Sequence, residues 1–134
     1  MIRVYVDMAA DLFHSGHLSF LKKARGFGDF LVAGIHSDET ILSYKREPII
    51  CEKDRYEMVR QCCLVDEIIE DAPTCITKDY IREHRIDIVI HGDDITKELK
   101  IQHQEISEMG IVRYVLYTPG ISTTKIINKI KNME

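Results

Sequence analysis

Two histidines flank a glycine in His14-Ser15-Gly16-His17, after a short apolar run and ahead of an amphipathic stretch. A glycine there lets the backbone turn tightly and approach a ligand. A helix starting at that point offers unpaired N–H groups and the positive end of its dipole, which suits a phosphate. Two imidazoles beside it can donate to phosphate oxygens and stabilise the charge that builds as a phosphorus centre is attacked. A metal pair or two surface histidines are the plainer alternatives. A second cluster, Thr118-Pro119-Gly120-Ile121-Ser122-Thr123-Thr124-Lys125, puts three hydroxyls at a helix start behind a Pro-Gly turn. It reads as a second anion seat or as an ordinary capped helix. Two such seats at one sheet edge would hold a triphosphate at both ends. Neither is a G-x-x-x-x-G-K-S/T loop, and no G-x-G-x-x-G occurs.

Other chemistry-bearing residues fall at similar places. In His36-Ser37-Asp38-Glu39, Asp38 could hold a magnesium ion or orient a substrate, or Ser37 or Asp38 could cap a helix beginning at Glu39. Lys45-Arg46, beside Pro48, would make a phosphate-reaching loop or a surface charge pair. Arg55 offers a fork for phosphate oxygens, or a solvated helix arginine. His91-Gly92-Asp93-Asp94 could read a base edge, support a metal, or form a turn.

These residues must be positioned by elements, and the pattern names them. Strand-length apolar runs at Val4–Val6, Phe30–Ile35, Glu67–Glu70, Ile86–Ile90 and Ile111–Tyr117 alternate with helical segments. The helices expected are Gly16–Arg25, Asp54–Leu64, Thr77–His84 and one opening at Ser122. Alternation of this kind predicts one α/β domain over residues 1–134, with a five-stranded, mainly parallel sheet and helices on both faces. Ligands of such sheets bind beyond the carboxyl ends of the strands, where the candidate residues lie.

Composition narrows the function. The 134 residues carry 18 basic and 22 acidic side chains, a net charge of −4, so no general nucleic-acid binder is expected. No apolar run approaches the length of a membrane span, and Asp7 comes too early for a signal peptide, so a cytoplasmic protein with no membrane partner is expected. Cys51, Cys62, Cys63 and Cys75 form no C-x-x-C pair and read as reduced, structural thiols.

Together the motifs resemble the cytidylyltransferase branch of the HxGH nucleotidyltransferases. His14-Ser15-Gly16-His17 is similar to that superfamily's signature, and Gly120-Ile121-Ser122-Thr123-Thr124 to its second. Arg55-Tyr56 through Ile69, Ala72-Pro73 and His91–Asp94 resemble the ethanolamine-phosphate and choline-phosphate enzymes. The short length is closer to the bacterial glycerol-3-phosphate enzymes. The resemblance implies a Rossmann-like domain and a magnesium-assisted attack of an acceptor phosphate on the α-phosphorus of CTP, releasing pyrophosphate. It implies catalytic roles for His14, His17 and Lys45. Nucleotide contacts would come from Met8, Ala9, Gly16, Asp93, Asp94, Thr118, Gly120, Ser122 and Thr123. Asp11, Asp38 and Arg55 would serve the acceptor, and Asp11 or Asp94 could support the metal. It also implies a homodimer joined through the Arg55–Ile69 region.

Two departures stand out. Where the family's second signature carries an arginine, this chain has Tyr117, which cannot supply a cationic fork; Arg113 and Lys125 are close in sequence. The first strand runs into Met8-Ala9-Ala10-Asp11 where the family pattern has a glycine, which reshapes the nucleotide or acceptor pocket. The leading acceptor is ethanolamine phosphate or a related aminoalcohol phosphate, with glycerol-3-phosphate next. The chain has no Trp, and a quaternary ammonium favours an aromatic cage, which argues against choline.

Overall fold

The computed structural model of the chain describes every residue except Ile95, Thr118 and Glu134. At its centre lies β1 (Arg3–Met8), followed by α1 (Ser15–Arg25), β2 (Phe30–Ile35), α2 (Asp38–Tyr44), α3 (Glu52–Arg60) and β3 (Glu67–Glu70). The chain continues through α4 (Lys78–Glu83), β4 (Ile88–Gly92), α5 (Lys97–Gln102), α6 (Gln104–Ser107), β5 (Val112–Val115) and α7 (Thr123–Lys131). The sheet order is β3-β2-β1-β4-β5, and each neighbouring pair is parallel. The order reverses between β1 and β4, so the loops leaving these two strands part and open a crevice.

Side-chain alternation in the strands builds a core on each face. Val4 and Val6 of β1 pack with Leu31, Ala33 and Ile35 of β2 against Leu21 and Ala24 of α1 and Val59 of α3. Tyr5 and Val32 face the other way, onto Ile81 of α4 and Ile106 of α6. Both faces of the central strands are covered, which is why their sequences are nearly unbroken apolar runs.

The α/β expectation holds, with shifted boundaries. Ile86 belongs to the turn that closes α4, its N–H bonded to Ile81 O (3.0 Å), so β4 starts later and extends to Gly92. Helix α3 ends at Arg60, leaving Cys62 and Cys63 in the following turn. Only Cys62 packs against the core; Cys51, Cys63 and Cys75 are exposed free thiols. Ser37 proves to be the N-cap of α2, accepting from Thr40 N–H (3.1 Å). Helices α5 and α6 lay outside the expectation, since each buries a single apolar residue, Leu99 or Ile106, too little to show periodicity. Among the described residues no helix is long and apolar enough to cross a membrane.

Candidate active site

The two histidines cap α1 together. His14, extended at φ −142°, accepts the Gly16 N–H at Nδ1 (3.0 Å) and donates its own N–H to His17 Nδ1 (3.1 Å). This is a capping box with imidazoles in place of the usual hydroxyl and carboxylate. Because both Nδ1 atoms accept, both rings carry their proton on Nε2. The ring centroids are 4.0 Å apart, and Phe13 stacks on His17. Burial pushes His17 down to about 4, helped by the charges of His14 and Lys45 and opposed by Asp11. Burial also lowers His14. At neutral pH the pair is therefore two uncharged Nε2–H donors of fixed tautomer. Gly16 is required: a Cβ there would stand 2.7 Å from His14 Cε1.

Ser122 caps α7 by accepting from Lys125 N–H (3.1 Å), and Gly120 turns the chain at φ +108°, a region that favours glycine. Thr123 fastens this turn to the first seat. Its hydroxyl donates to Asp11 O (2.9 Å) and lies 3.4 Å from His14 Nε2. His14, His17, Gly120, Ser122, Thr123 and Lys125 all line one cleft of about 880 Å³.

Three side chains hold the rim. The Asp11 carboxylate accepts from Ile49 N–H and Ile50 N–H (both 2.9 Å) and from Arg46 (3.2 Å). Burial alone would raise its pKa, but these hydrogen bonds outweigh burial and hold it below the usual carboxylate range. Arg46 is thereby anchored, while its neighbour Lys45 lines the cleft. Arg55 is 1% exposed and donates to Ile50 O (2.9 Å), Ala9 O (2.6 Å), His36 O (2.8 Å) and Asp38 Oδ1 (2.7 Å).

The cleft floor lies at the carboxyl ends of β1 and β2, where Asp7 and His36 face it. Their closest approach is 3.9 Å, from His36 Nε2 to Asp7 Oδ2, and His36 Nδ1 lies 2.7 Å from Tyr44 Oη. Burial and the Asp7 charge push Tyr44 up to about 12. Across the floor, Tyr117 packs over Gly92, where any Cβ would collide with its ring. Burial, then Asp94, raises the Tyr117 pKa well above the ordinary value.

Residues 9–129 match the family described as cytidylyltransferase-like. The chain belongs to the cytidylyltransferase-like family. It is 40% identical over 131 residues to an ethanolamine-phosphate cytidylyltransferase of Dictyostelium discoideum, covering 96% of this chain and 36% of that protein. It is 36% identical to choline-phosphate cytidylyltransferase A of Homo sapiens, again covering 96% of this chain and 36% of the relative. The chain thus spans little more than a third of the length of these curated relatives. Among solved structures, the lipopolysaccharide core biosynthesis protein of Thermoplasma volcanium superposes with a TM-score of 0.72 at 28% identity, over 90% of this chain and 99% of that one.

For a member of this family the expected residues sort into two groups. Met8, Ala9, Asp11, His14, Gly16, His17, Lys45, Asp94, Gly120, Ser122 and Thr123 come together around the cleft. Arg55 and Asp38 do not line it, because they bond each other and three backbone carbonyls behind it. Asp93 is exposed and accepts from Tyr117 N–H (3.2 Å), also outside the cleft wall. Thr118 lies outside the described residues. Of the cations near Tyr117 in sequence, Lys125 lines the cleft, whereas Arg113 is exposed and bonds Gly110 O. Asp7, His36 and Tyr44 were missed as site residues. Asp7 and His36 stand at strand carboxyl ends, a position that would have flagged them.

Proposed function

We propose that this chain transfers CMP from CTP to a small phosphorylated amino alcohol, with ethanolamine phosphate the acceptor that fits best. The observation that carries the reading is the convergence of two helix N-termini on one cleft, α1 with its two Nε2–H donors and α7 with its Ser-Thr turn, joined by Thr123. An oxygen of the acceptor phosphate attacks the α-phosphorus of CTP. The bond from that phosphorus to the bridging oxygen breaks, and pyrophosphate leaves with the electron pair. The protein's work is positioning and charge stabilisation, with no covalent intermediate. His14 and His17 donate to phosphate oxygens, Lys45 and Lys125 balance the triphosphate charge, and the α7 turn holds its far end. The 40% identity to an ethanolamine-phosphate cytidylyltransferase supports the acceptor, as does the largely buried carboxylate of Asp7 on the cleft floor, suited to an ammonium group.

Magnesium fits as an ion carried mainly by the triphosphate. Among the described residues no three His, Cys, Asp or Glu converge as a cage, which suits an ion that keeps waters and takes one or two carboxylates. Both oxygens of Asp11 are committed to protein donors, so Asp94, on the cleft wall, is the better placed support. The ion would neutralise phosphate charge and ease departure of pyrophosphate. The reading includes a homodimer through the Arg55–Ile69 region, where β3 is an edge strand and Met58 is exposed.

The deciding experiment measures pyrophosphate release from CTP, ATP, GTP and UTP with magnesium, against ethanolamine phosphate, choline phosphate, glycerol-3-phosphate and serinol phosphate. Turnover is expected with CTP and ethanolamine phosphate. His17→Ala should lower kcat by roughly 100-fold or more, the scale for losing one transition-state donor. Turnover with ATP alone, or only with glycerol-3-phosphate, would overturn the assignment. Unchanged turnover in His17→Ala would remove the histidines from the mechanism.

A further inference from the structure

Two side chains on the cleft floor, His36 buried and Asp7 largely so, have bonding capacity left over. The Asp7 side chain is 9% exposed, and among the described residues its carboxylate accepts no hydrogen bond. The His36 side chain is 10% exposed, and its Nε2 has no hydrogen-bond partner. The 3.9 Å between them is too long for a hydrogen bond, yet both border the same cleft. A single nitrogen at about 2.9 Å from each would see them about 85° apart, which two N–H bonds of an ammonium group can reach with each bond bent by a little over 10°. The other ring nitrogen of His36 is engaged by Tyr44 Oη at 2.7 Å. If that nitrogen holds the proton and donates it to the tyrosine oxygen, Nε2 presents a lone pair to the cleft.

We propose that His36 determines acceptor specificity: with Nδ1 donating to Tyr44 Oη, its unpartnered Nε2 takes one N–H of a primary ammonium while Asp7 takes another. This rests on the aminoalcohol-phosphate reading given above. Asp7 alone would recognise any cation. The second acceptor recognises N–H bonds, which a primary amine has and a quaternary one lacks. A polar acceptor left unmatched in a buried site penalises the ligand that lacks the donor, so discrimination comes from His36 and not from charge.

The test compares ethanolamine phosphate with its N-methyl, N,N-dimethyl and N,N,N-trimethyl derivatives, in wild type, His36→Leu, His36→Gln and Tyr44→Phe. Wild type should lose kcat/KM at each methylation, most steeply at the third. His36→Leu should raise KM for ethanolamine phosphate about tenfold or more, leave KM for CTP within about twofold, and flatten the methylation series. His36→Gln, whose amide oxygen can accept, should recover much of the preference, and Tyr44→Phe should fall between. A purely structural role would depress all four acceptors and CTP together, leaving the series as steep as in wild type; that result overturns the proposal and leaves the reaction assignment standing. Wild type inert towards ethanolamine phosphate would overturn both.

Discussion

Arg55 is the side chain whose chemistry and location pull furthest apart. Its guanidinium is the right shape for phosphate, yet its hydrogen bonds go to the protein: three carbonyls from separate segments and the Asp38 carboxylate. Arg55→Ala would strand those buried carbonyls, and should destabilise the chain by about 3 kcal/mol or more. Arg55→Lys should recover only part of this, since an ammonium cannot reproduce a planar five-donor fork. Urea denaturation of the two variants measures both effects. A loss in KM for the acceptor with stability unchanged would instead return Arg55 to substrate contact. Sequence gave a fair account of residue types near the chemistry and a poorer one of their partners. His14, His17 and Ser122 are legible because a helix start constrains what stands there. Arg55 and Asp38 are not, because a buried ion pair and a ligand contact use the same residue types.

At the level of elements, the site is two helix starts on one cleft, held together by Thr123. Each depends on a cap made by the very residues that face the ligand, so order in the free protein and binding are linked. Gly120, at φ +108° with open space where a Cβ would stand, isolates the backbone contribution. Gly120→Ala meets no clash but strains the turn, at a cost of about 1 kcal/mol or more. The expected result is a several-fold rise in KM for CTP with KM for the acceptor little changed, measured by steady-state kinetics. An equal rise in both would mean that the turn serves the whole cleft. The long strands and the helices α1, α4 and α7 were legible from apolar spacing. Helices α5 and α6 were not, because one buried residue apiece carries no period. Yet α5 contributes Leu99 and Gln102 to the cleft wall, so part of the site lay in the least readable stretch.

For the molecule as a whole, the buried neutral histidines tie stability to pH. An unfolded histidine titrates near 6.5, whereas burial pushes His17 down to about 4 and lowers His14 as well. Between these values the unfolded chain binds protons that the folded one refuses, so stability is full above about pH 6.5 and falls as pH drops towards 4. Asp11 and Asp66 extend the loss below pH 4. Burial opposes the shift in each, but hydrogen bonds from Ile49 and Ile50 at Asp11, and from Arg25 and Leu31 at Asp66, hold their carboxyls below the ordinary value. Urea midpoints at pH 7.5, 6 and 5 should decline steadily, and the decline should shrink in His17→Gln. A wild-type midpoint that is flat across this range would show that His17 is not held neutral in the fold.

The Thr123 hydroxyl on Asp11 O joins residues 112 positions apart. On the ribosome, where the chain emerges from its amino end, His14 and His17 are made long before the residue that braces their loop. A growing chain therefore carries its histidine motif without a second seat to oppose it. On the proposed reading, the grip on a triphosphate forms only once α7 has left the exit tunnel and reached the loop made first.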